Sequence, residues 1–251
     1  TEEEISSSVN QAYDNKFDTE EIVPLHKIED AYLMELYHCP TSAFKDIALT
    51  LLPHLLIQSY NKENRHDTIS ILTATSGDTG KAALSGFADV KHTAITVFYP
   101  EVGVSQVQKK QMQTATGDNV EVIAVKGNFD DCQRMVKEAT QDPQVLASLH
   151  NVTISSANSI NVGRLIPQVV YYYSSYCKLV KDGAIQCGDP VNFVVPTGNF
   201  GDILAGYLAY RTGLPVNQLI CASNSNNVLT DFLHIPFIAH SFQQCHLPWT
   251  F

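Results

Sequence analysis

Thr68-Ile69-Ser70-Ile71-Leu72 is a short run rich in β-branched residues. Thr73-Ala74-Thr75-Ser76-Gly77-Asp78-Thr79-Gly80-Lys81 then leads it into a helical pattern over Thr79–Ala88. A strand that empties into small, hydroxylated and glycine residues and then into a helix is the repeating unit of a parallel α/β sheet. The same alternation recurs along the chain. It predicts strands at Thr93–Tyr99, Val120–Val125, Val191–Val195 and Gln218–Ala222, and helices at Ser105–Thr116, Asp130–Thr140, Ile160–Leu179 and Asp202–Tyr210. Ser105 and Asp130 read as N-caps, and Gly117 and Gly213 sit where helices stop. Strands this apolar imply parallel sheets covered by helices on both faces, so the expected fold class is α/β. Residues 1–24 are polar and acidic and read as a helix or tail ahead of the compact part.

Composition narrows the function classes. Among 251 residues, 16 Lys and Arg oppose 26 Asp and Glu, a net charge of −10. Such a surface repels phosphodiester backbones, so no nucleic-acid partner is expected. With 44% hydrophobic and 17% charged residues, the chain has the apolar content for a packed core. No apolar run reaches the length of a membrane span, and Thr1-Glu2-Glu3-Glu4 is unlike a signal peptide, which together predict a cytoplasmic protein without a membrane partner. Six cysteines lack any CxxC or zinc-finger spacing and read as reduced thiols.

In parallel α/β sheets ligands bind beyond the carboxyl ends of the strands, which directs attention to three junctions. At Thr73–Lys81, backbone N–H groups at a helix start suit an anion, a carboxylate or a phosphate; an ordinary βα turn fits the same residues. A nucleotide-binding P-loop does not, because Thr75 stands where the pattern needs Gly and Ala82 where it needs Ser or Thr. At Val194-Val195-Pro196-Thr197-Gly198-Asn199-Phe200-Gly201-Asp202, two glycines three apart let successive N–H groups converge on one phosphate, and no GxGxxG dinucleotide fingerprint is present. At His38-Cys39-Pro40-Thr41-Ser42-Ala43-Phe44-Lys45-Asp46, Lys45 precedes an apolar helix from Ile47. An amine among apolar groups loses its proton more readily and becomes a nucleophile or base; a surface lysine lying along its own stem is the alternative.

Four segments in order resemble threonine synthase, in the form found in enterobacteria and yeast, within the pyridoxal-phosphate enzymes related to the tryptophan synthase β-chain. They are Pro40–Asp46, Thr75–Gly80, Ser156-Ala157-Asn158-Ser159-Ile160-Asn161 and Pro196–Asp202. The resemblance covers about residues 5–234. It implies a fold type II enzyme with residues 1–24 as a remnant of an N-terminal region, 25–66 and 159–251 as a large cofactor-binding domain, and 67–158 as a small domain. It implies that Lys45 forms the aldimine with pyridoxal 5'-phosphate. Gly198, Asn199, Phe200, Gly201 and Asp202 would cup the cofactor phosphate, and Asp78 would lie on the cofactor side. Ser76, Gly77 and Thr79 would face the substrate, as would Asn158, Ser159, Asn161 and Arg164. Arg164 pairs with the substrate phosphate or with a surface carboxylate. The implied reaction converts O-phospho-L-homoserine and water to L-threonine and phosphate, in a monomer or homodimer.

Departures carry information too. Cys39 stands where the family usually has Gly; it reads as a reactive thiol or as a buried inert one. The sequence lacks most of the family's N-terminal domain, and resemblance stops after Phe232, before the region that supplies the polar partner of the pyridine nitrogen. The apolar 235–251 segment suggests association or instability. His234, His240 and His246 recur at six-residue intervals, which is no standard metal spacing, so no metal is expected. Two further readings fit the same residues: a non-catalytic family member that binds the cofactor or a partner, and a serine or threonine dehydratase. Asp78-Thr79-Gly80 favours threonine synthase over the latter.

Overall fold

A computed structural model of the chain describes residues 1–158, 161–225 and 249–250. It divides into two compact units, Thr1–Pro167 and Gln168–Phe251.

The first unit opens with helix α1 (Glu2–Tyr13), closed at its start by a capping box between Thr1 and Glu4. A small antiparallel hairpin of β1 (Leu25–Ile28) and β2 (Ala31–Met34) follows. Next come α2 (Lys45–Lys62), β3 (Thr68–Ala74), α3 (Asp78–Phe87), β4 (Thr93–Pro100), α4 (Gln106–Gln113) and β5 (Val120–Val125). The unit continues with α5 (Phe129–Gln141), α6 (Pro143–Ser148), β6 (Val152–Ser155) and the start of α7 (Val162–Lys181). Strands β5-β4-β3-β6 form one parallel sheet in that order. Register sets Ile71 beside both Ile95 and Ser155, and Val97 beside Val122.

Strand side chains alternate between two cores. On one face Ile69, Ile71, Ile95 and Val97 pack with Leu49 and Leu52 of α2, Leu84 and Phe87 of α3, and Met112 of α4. On the other, Leu72, Ala74, Phe98 and Val125 meet Cys132, Val136 and Phe129 of α5. The expected α/β sheet with helices on both faces is thus present in this unit. Helices α2 and α3 approach closely at Gly86, where a Cβ would stand 2.7 Å from the Leu49 carbonyl carbon.

The second unit holds the rest of α7, β7 (Val191–Pro196), α8 (Gly201–Arg211), β8 (Val216–Ala222) and β9 (Trp249–Thr250), with β7-β8-β9 parallel. Ile203, Ala205, Ala209 and Leu219 are buried here. Gly206 of α8 faces Tyr172 so closely that a Cβ would lie 2.9 Å from the ring. Helix α8 ends in a Schellman motif: Leu214 N–H donates to the Ala209 carbonyl and Gly213 N–H to that of Tyr210, with Gly213 at φ +107°.

Two local expectations are corrected. The N-cap of α5 is Asn128, not Asp130, because Asn128 and Asp131 satisfy each other's backbone N–H in a capping box and Asp130 then falls inside the first turn. Helix α4 stops at Gln113 with Thr114 as its cap, three residues before Gly117. Ser105 is the N-cap of α4 as expected, its hydroxyl accepting from Gln108 N–H. Among the described residues no helix is long and apolar enough to cross a membrane, and the five cysteines described are free.

Candidate active site

In the first unit the loop ahead of α2 is built around Asp46, whose side chain is fully buried. Its carboxylate accepts from Thr41 N–H at 2.7 Å and from the Thr41 hydroxyl at 2.8 Å. Those bonds fold Pro40–Phe44 back on the helix start and leave Lys45 as its first residue. The Cys39 thiol donates to the carbonyls of Leu36 and Ala43, and burial pushes its pKa up to about 12. Of the two readings of Cys39, the structure therefore supports the inert thiol.

Lys45 is not a surface side chain: it is 22% exposed, and its Nζ lies 3.6 Å from Asp78 Oδ2 and 5.5 Å from the Phe44 ring centre. Burial lowers its pKa; Asp78 opposes that, and the positive charges of Arg164 and Lys81 reinforce it. The amine is thus more readily deprotonated than an ordinary lysine.

The β3–α3 turn brings Asp78 to that place. The buried Thr75 hydroxyl accepts from Gly77 N–H at 3.0 Å and Gly80 N–H at 2.9 Å, pinning the turn. Gly77 takes φ +157°, and a Cβ there would stand 2.6 Å from Gln108 Cδ. Gln108 Nε2 donates to Asp78 Oδ1 at 2.7 Å. Lys81 Nζ is 3.2 Å from the same oxygen and donates to the Thr41 carbonyl at 2.9 Å. Burial pushes the Asp78 carboxyl up, but the bond from Gln108 and the charges of Lys45 and Lys81 hold it below its ordinary value. Ser76 is exposed at the tip of the turn, and Thr79 is half-buried one residue after Asp78.

The segment after β6 is anchored to the same strand end. Asn158 Nδ2 donates to the Ala74 carbonyl at 3.0 Å, and Asn161 Nδ2 to that of Ser156 at 2.8 Å. Asn161 Oδ1 accepts from Gly163 N–H as α7 begins. Arg164 is 5% exposed, with Nη1 donating to the Ala157 carbonyl at 3.1 Å; burial lowers its pKa to about 10. At that depth Arg164 is not a surface side chain. Ser159 lies outside the described residues, as do His234, His240 and His246.

In the second unit, Thr197 N–H donates to the Ala222 carbonyl at 2.8 Å, so the loop leaves the sheet in a fixed direction. Gly198 takes φ +135° and Phe200 the left-handed φ of +59° before α8 begins at Gly201. Among the described residues, no heavy atom beyond the local backbone and the chain neighbours lies within 4 Å of a Cβ built on Gly198 or Gly201, which leaves room over the first N–H groups of α8, groups that have no acceptor within a helix. Asn199 is exposed in that loop. The Asp202 side chain points inward instead, accepting from the Tyr172 hydroxyl at 2.9 Å and from that of Tyr171; burial raises its pKa against those bonds. What Asp202 offers to the loop is its backbone.

The first unit therefore gathers Lys45, Asp78, Asn158, Asn161 and Arg164 around the carboxyl end of β3. Sequence reasoning missed Lys81 and Gln108, which hold Asp78, and Tyr171 and Tyr172, which hold Asp202. Lys81 follows the glycine turn and is visible there only as part of a P-loop pattern that fails; Gln108 carries no signal at all.

The sequence signature of the pyridoxal-phosphate dependent enzyme family matches residues 19–244. Human threonine synthase-like 1 is 41% identical over 238 residues, covering 91% of this chain and 32% of the relative. Threonine synthase of Pseudomonas aeruginosa is 45% identical over 216 residues, covering 84% of this chain and 43% of the relative. A crystal structure of pyridoxal-phosphate-bound threonine synthase from Brucella melitensis superposes with a TM-score of 0.80 at 37% identity, covering 93% of this chain and 48% of that one. The chain spans between about a third and a half of the length of these relatives.

Proposed function

The chain belongs to the pyridoxal-phosphate dependent enzymes, in their threonine synthase group, and on that premise we propose that it binds pyridoxal 5'-phosphate through Lys45 and converts O-phospho-L-homoserine and water to L-threonine and phosphate. The observation that carries the proposal is the Lys45 amine, held at the head of α2 by the Thr41–Asp46 bonds and lowered in proton affinity by burial, which outweighs the opposing charge of Asp78.

The residues suit a phosphorylated aldehyde. A carbonyl needs a deprotonated amine to add to it, and Lys45 is biased to that state. A phosphate needs converging N–H donors with no side chain in the way, and the Gly198–Asp202 loop leaves the Cβ positions of both glycines open. When bound, the pyridoxal ring supplies an electron sink for charge developing at the substrate α-carbon.

The chain's own residues do the rest under this proposal. Lys45 would take a proton at Cα and then at Cβ as phosphate leaves Cγ, and protons would return to Cγ and to Cα as water adds at Cβ. Ser76, Gly77 and Thr79 orient the substrate carboxylate at the start of α3. Asn158, Asn161 and Arg164 would face the substrate side, Arg164 holding the phosphate that departs; Ser159, assigned to the same role, lies outside the described residues. Gly198, Asn199, Phe200, Gly201 and Asp202 hold the cofactor phosphate by backbone N–H groups. The domain division under this proposal is that of fold type II, with 25–66 and 159–251 as the larger, cofactor-binding domain and 67–158 as the smaller.

The test is an assay of the 251-residue chain with pyridoxal phosphate and O-phosphohomoserine, reading released phosphate and threonine together. Cofactor capture lost in Lys45→Ala is the expected result, with threonine and phosphate formed in equal amounts but weakly or not at all by these 251 residues alone. Phosphate release with a keto acid in place of threonine would point to a dehydratase-like reaction and overturn the proposal, and so would the absence of any cofactor capture.

A further inference from the structure

Lys81 is a nearly buried ammonium, 9% exposed, that the proposed chemistry leaves without a task. It follows Gly80 in the β3–α3 turn and makes two contacts. Its Nζ donates to the Thr41 carbonyl at 2.9 Å, inside the loop that presents Lys45. It also lies 3.2 Å from Asp78 Oδ1, while the other Asp78 oxygen lies 3.6 Å from Lys45 Nζ. Asp78 thus stands between two lysines, one carboxylate oxygen toward each, with Gln108 Nε2 holding the Lys81 side at 2.7 Å.

We infer that Lys81 is a positioning residue for Lys45: by engaging one oxygen of Asp78 and the carbonyl of Thr41, it fixes the loop that carries Lys45 and limits how much negative charge Asp78 presents to it. The inference rests on the reading of Lys45 as the cofactor-bearing amine. Its physical basis is that a carboxylate alone beside a buried amine stabilises the ammonium, which cannot add to a carbonyl, whereas a carboxylate already paired does so less. Among the described residues, the charged groups that act on Lys45 are Asp78 and Lys81 of α3 and Arg164 of α7, with Phe44 as its apolar neighbour. Asp46 is turned away into its bonds with Thr41. Lys81 and Arg164 both disfavour the ammonium of Lys45, and Asp78 favours it. Deleting the charge of Lys81 removes repulsion and frees Asp78 in the same stroke, so both effects have one sign.

The experiment is competitive acetylation of the full chain, freed of bound aldehyde, with trace acetic anhydride across a pH series. The Lys45 peptide is quantified by mass spectrometry against an added amino acid. In Lys81→Gln, which keeps a donor for Thr41 but no charge, the Lys45 profile should move to higher pH and its reactivity at neutral pH should fall about three- to tenfold. Lys81→Arg, which keeps the charge, should recover part of that loss. Asp78→Asn should move the profile to lower pH. A Lys45 profile unmoved or lowered in a Lys81→Gln chain with native near-UV circular dichroism overturns the inference. If that variant does not fold, Asp78→Asn decides: a profile that fails to move to lower pH overturns it equally. Acetylation reads the amine whether or not it ever carries a cofactor. A normal Lys45 profile with no covalent capture of pyridoxal phosphate would therefore strike only the proposed function.

Discussion

His38 stands between two carboxylates, Nε2 2.7 Å from Glu35 Oε2 and Nδ1 2.7 Å from Asp18 Oδ1. The bond with Glu35, supported by Asp18, raises its pKa above the ordinary histidine value. The folded state therefore holds the His38 proton more tightly than the unfolded chain. Its stabilisation is full below the ordinary value near 6.5 and is lost as pH climbs through the raised one. In His38→Gln the deficit in melting temperature should be largest at about pH 5–6 and should shrink at alkaline pH; a deficit independent of pH would show that packing, not the proton, is what His38 contributes. At this scale the sequence exposes only part of the site. Lys45 is legible because an ammonium before an apolar helix is chemically out of place. Arg164 is legible in position but not in depth, since nothing in Asn161-Val162-Gly163-Arg164 says that the guanidinium turns inward to the Ala157 carbonyl. Lys81 is illegible because its partners, Thr41 and Asp78, are set by the fold and not by spacing along the chain.

Helix α3 depends on one missing side chain. Gly86→Ala should destabilise the chain by about 1–3 kcal/mol in urea unfolding, because a Cβ would meet the backbone of α2 at Leu49 and two packed helices would have to separate. A loss near zero would mean that α2 and α3 slide apart freely. In α8 the two glycines make opposite cases. Gly206 lies against Tyr172 and Leu219, whereas Gly201 faces open space. Gly201→Val should leave unfolding within about 1 kcal/mol of wild type yet weaken pyridoxal phosphate binding by about tenfold or more, since the new side chain occupies the cradle over the helix N-terminus. Unchanged affinity measured by cofactor fluorescence would place the phosphate elsewhere, with the Ser76–Gly80 turn as the next candidate. Long apolar strands such as β4 and amphipathic runs such as α5 are visible in the sequence by their period. The four-residue β6 and the β1–β2 hairpin are not, because Val152–Ser155 is too short to show a period and Leu25–Met34 leaves most of its side chains exposed. The α5 cap goes to Asn128 because only that register closes a reciprocal capping box with Asp131.

For the molecule as a whole, strand–helix alternation yields the α/β class, but not the strand order β5-β4-β3-β6, which follows from crossovers that sequence leaves unmarked. In the first unit the candidate site draws on segments far apart in the chain, the head of α2, the β3–α3 turn and the entry to α7; the second unit carries the β7–α8 loop. Every role proposed for the site requires Lys45 to be the residue that takes the cofactor. The direct measurement is to add pyridoxal phosphate to the chain, reduce with borohydride, and map the stable adduct by peptide mass spectrometry. The expected result is one phosphopyridoxyl group per chain, on Lys45, absent from Lys45→Ala. An adduct on Lys81 or any other lysine, or no adduct beyond that of the unfolded chain, would contradict it.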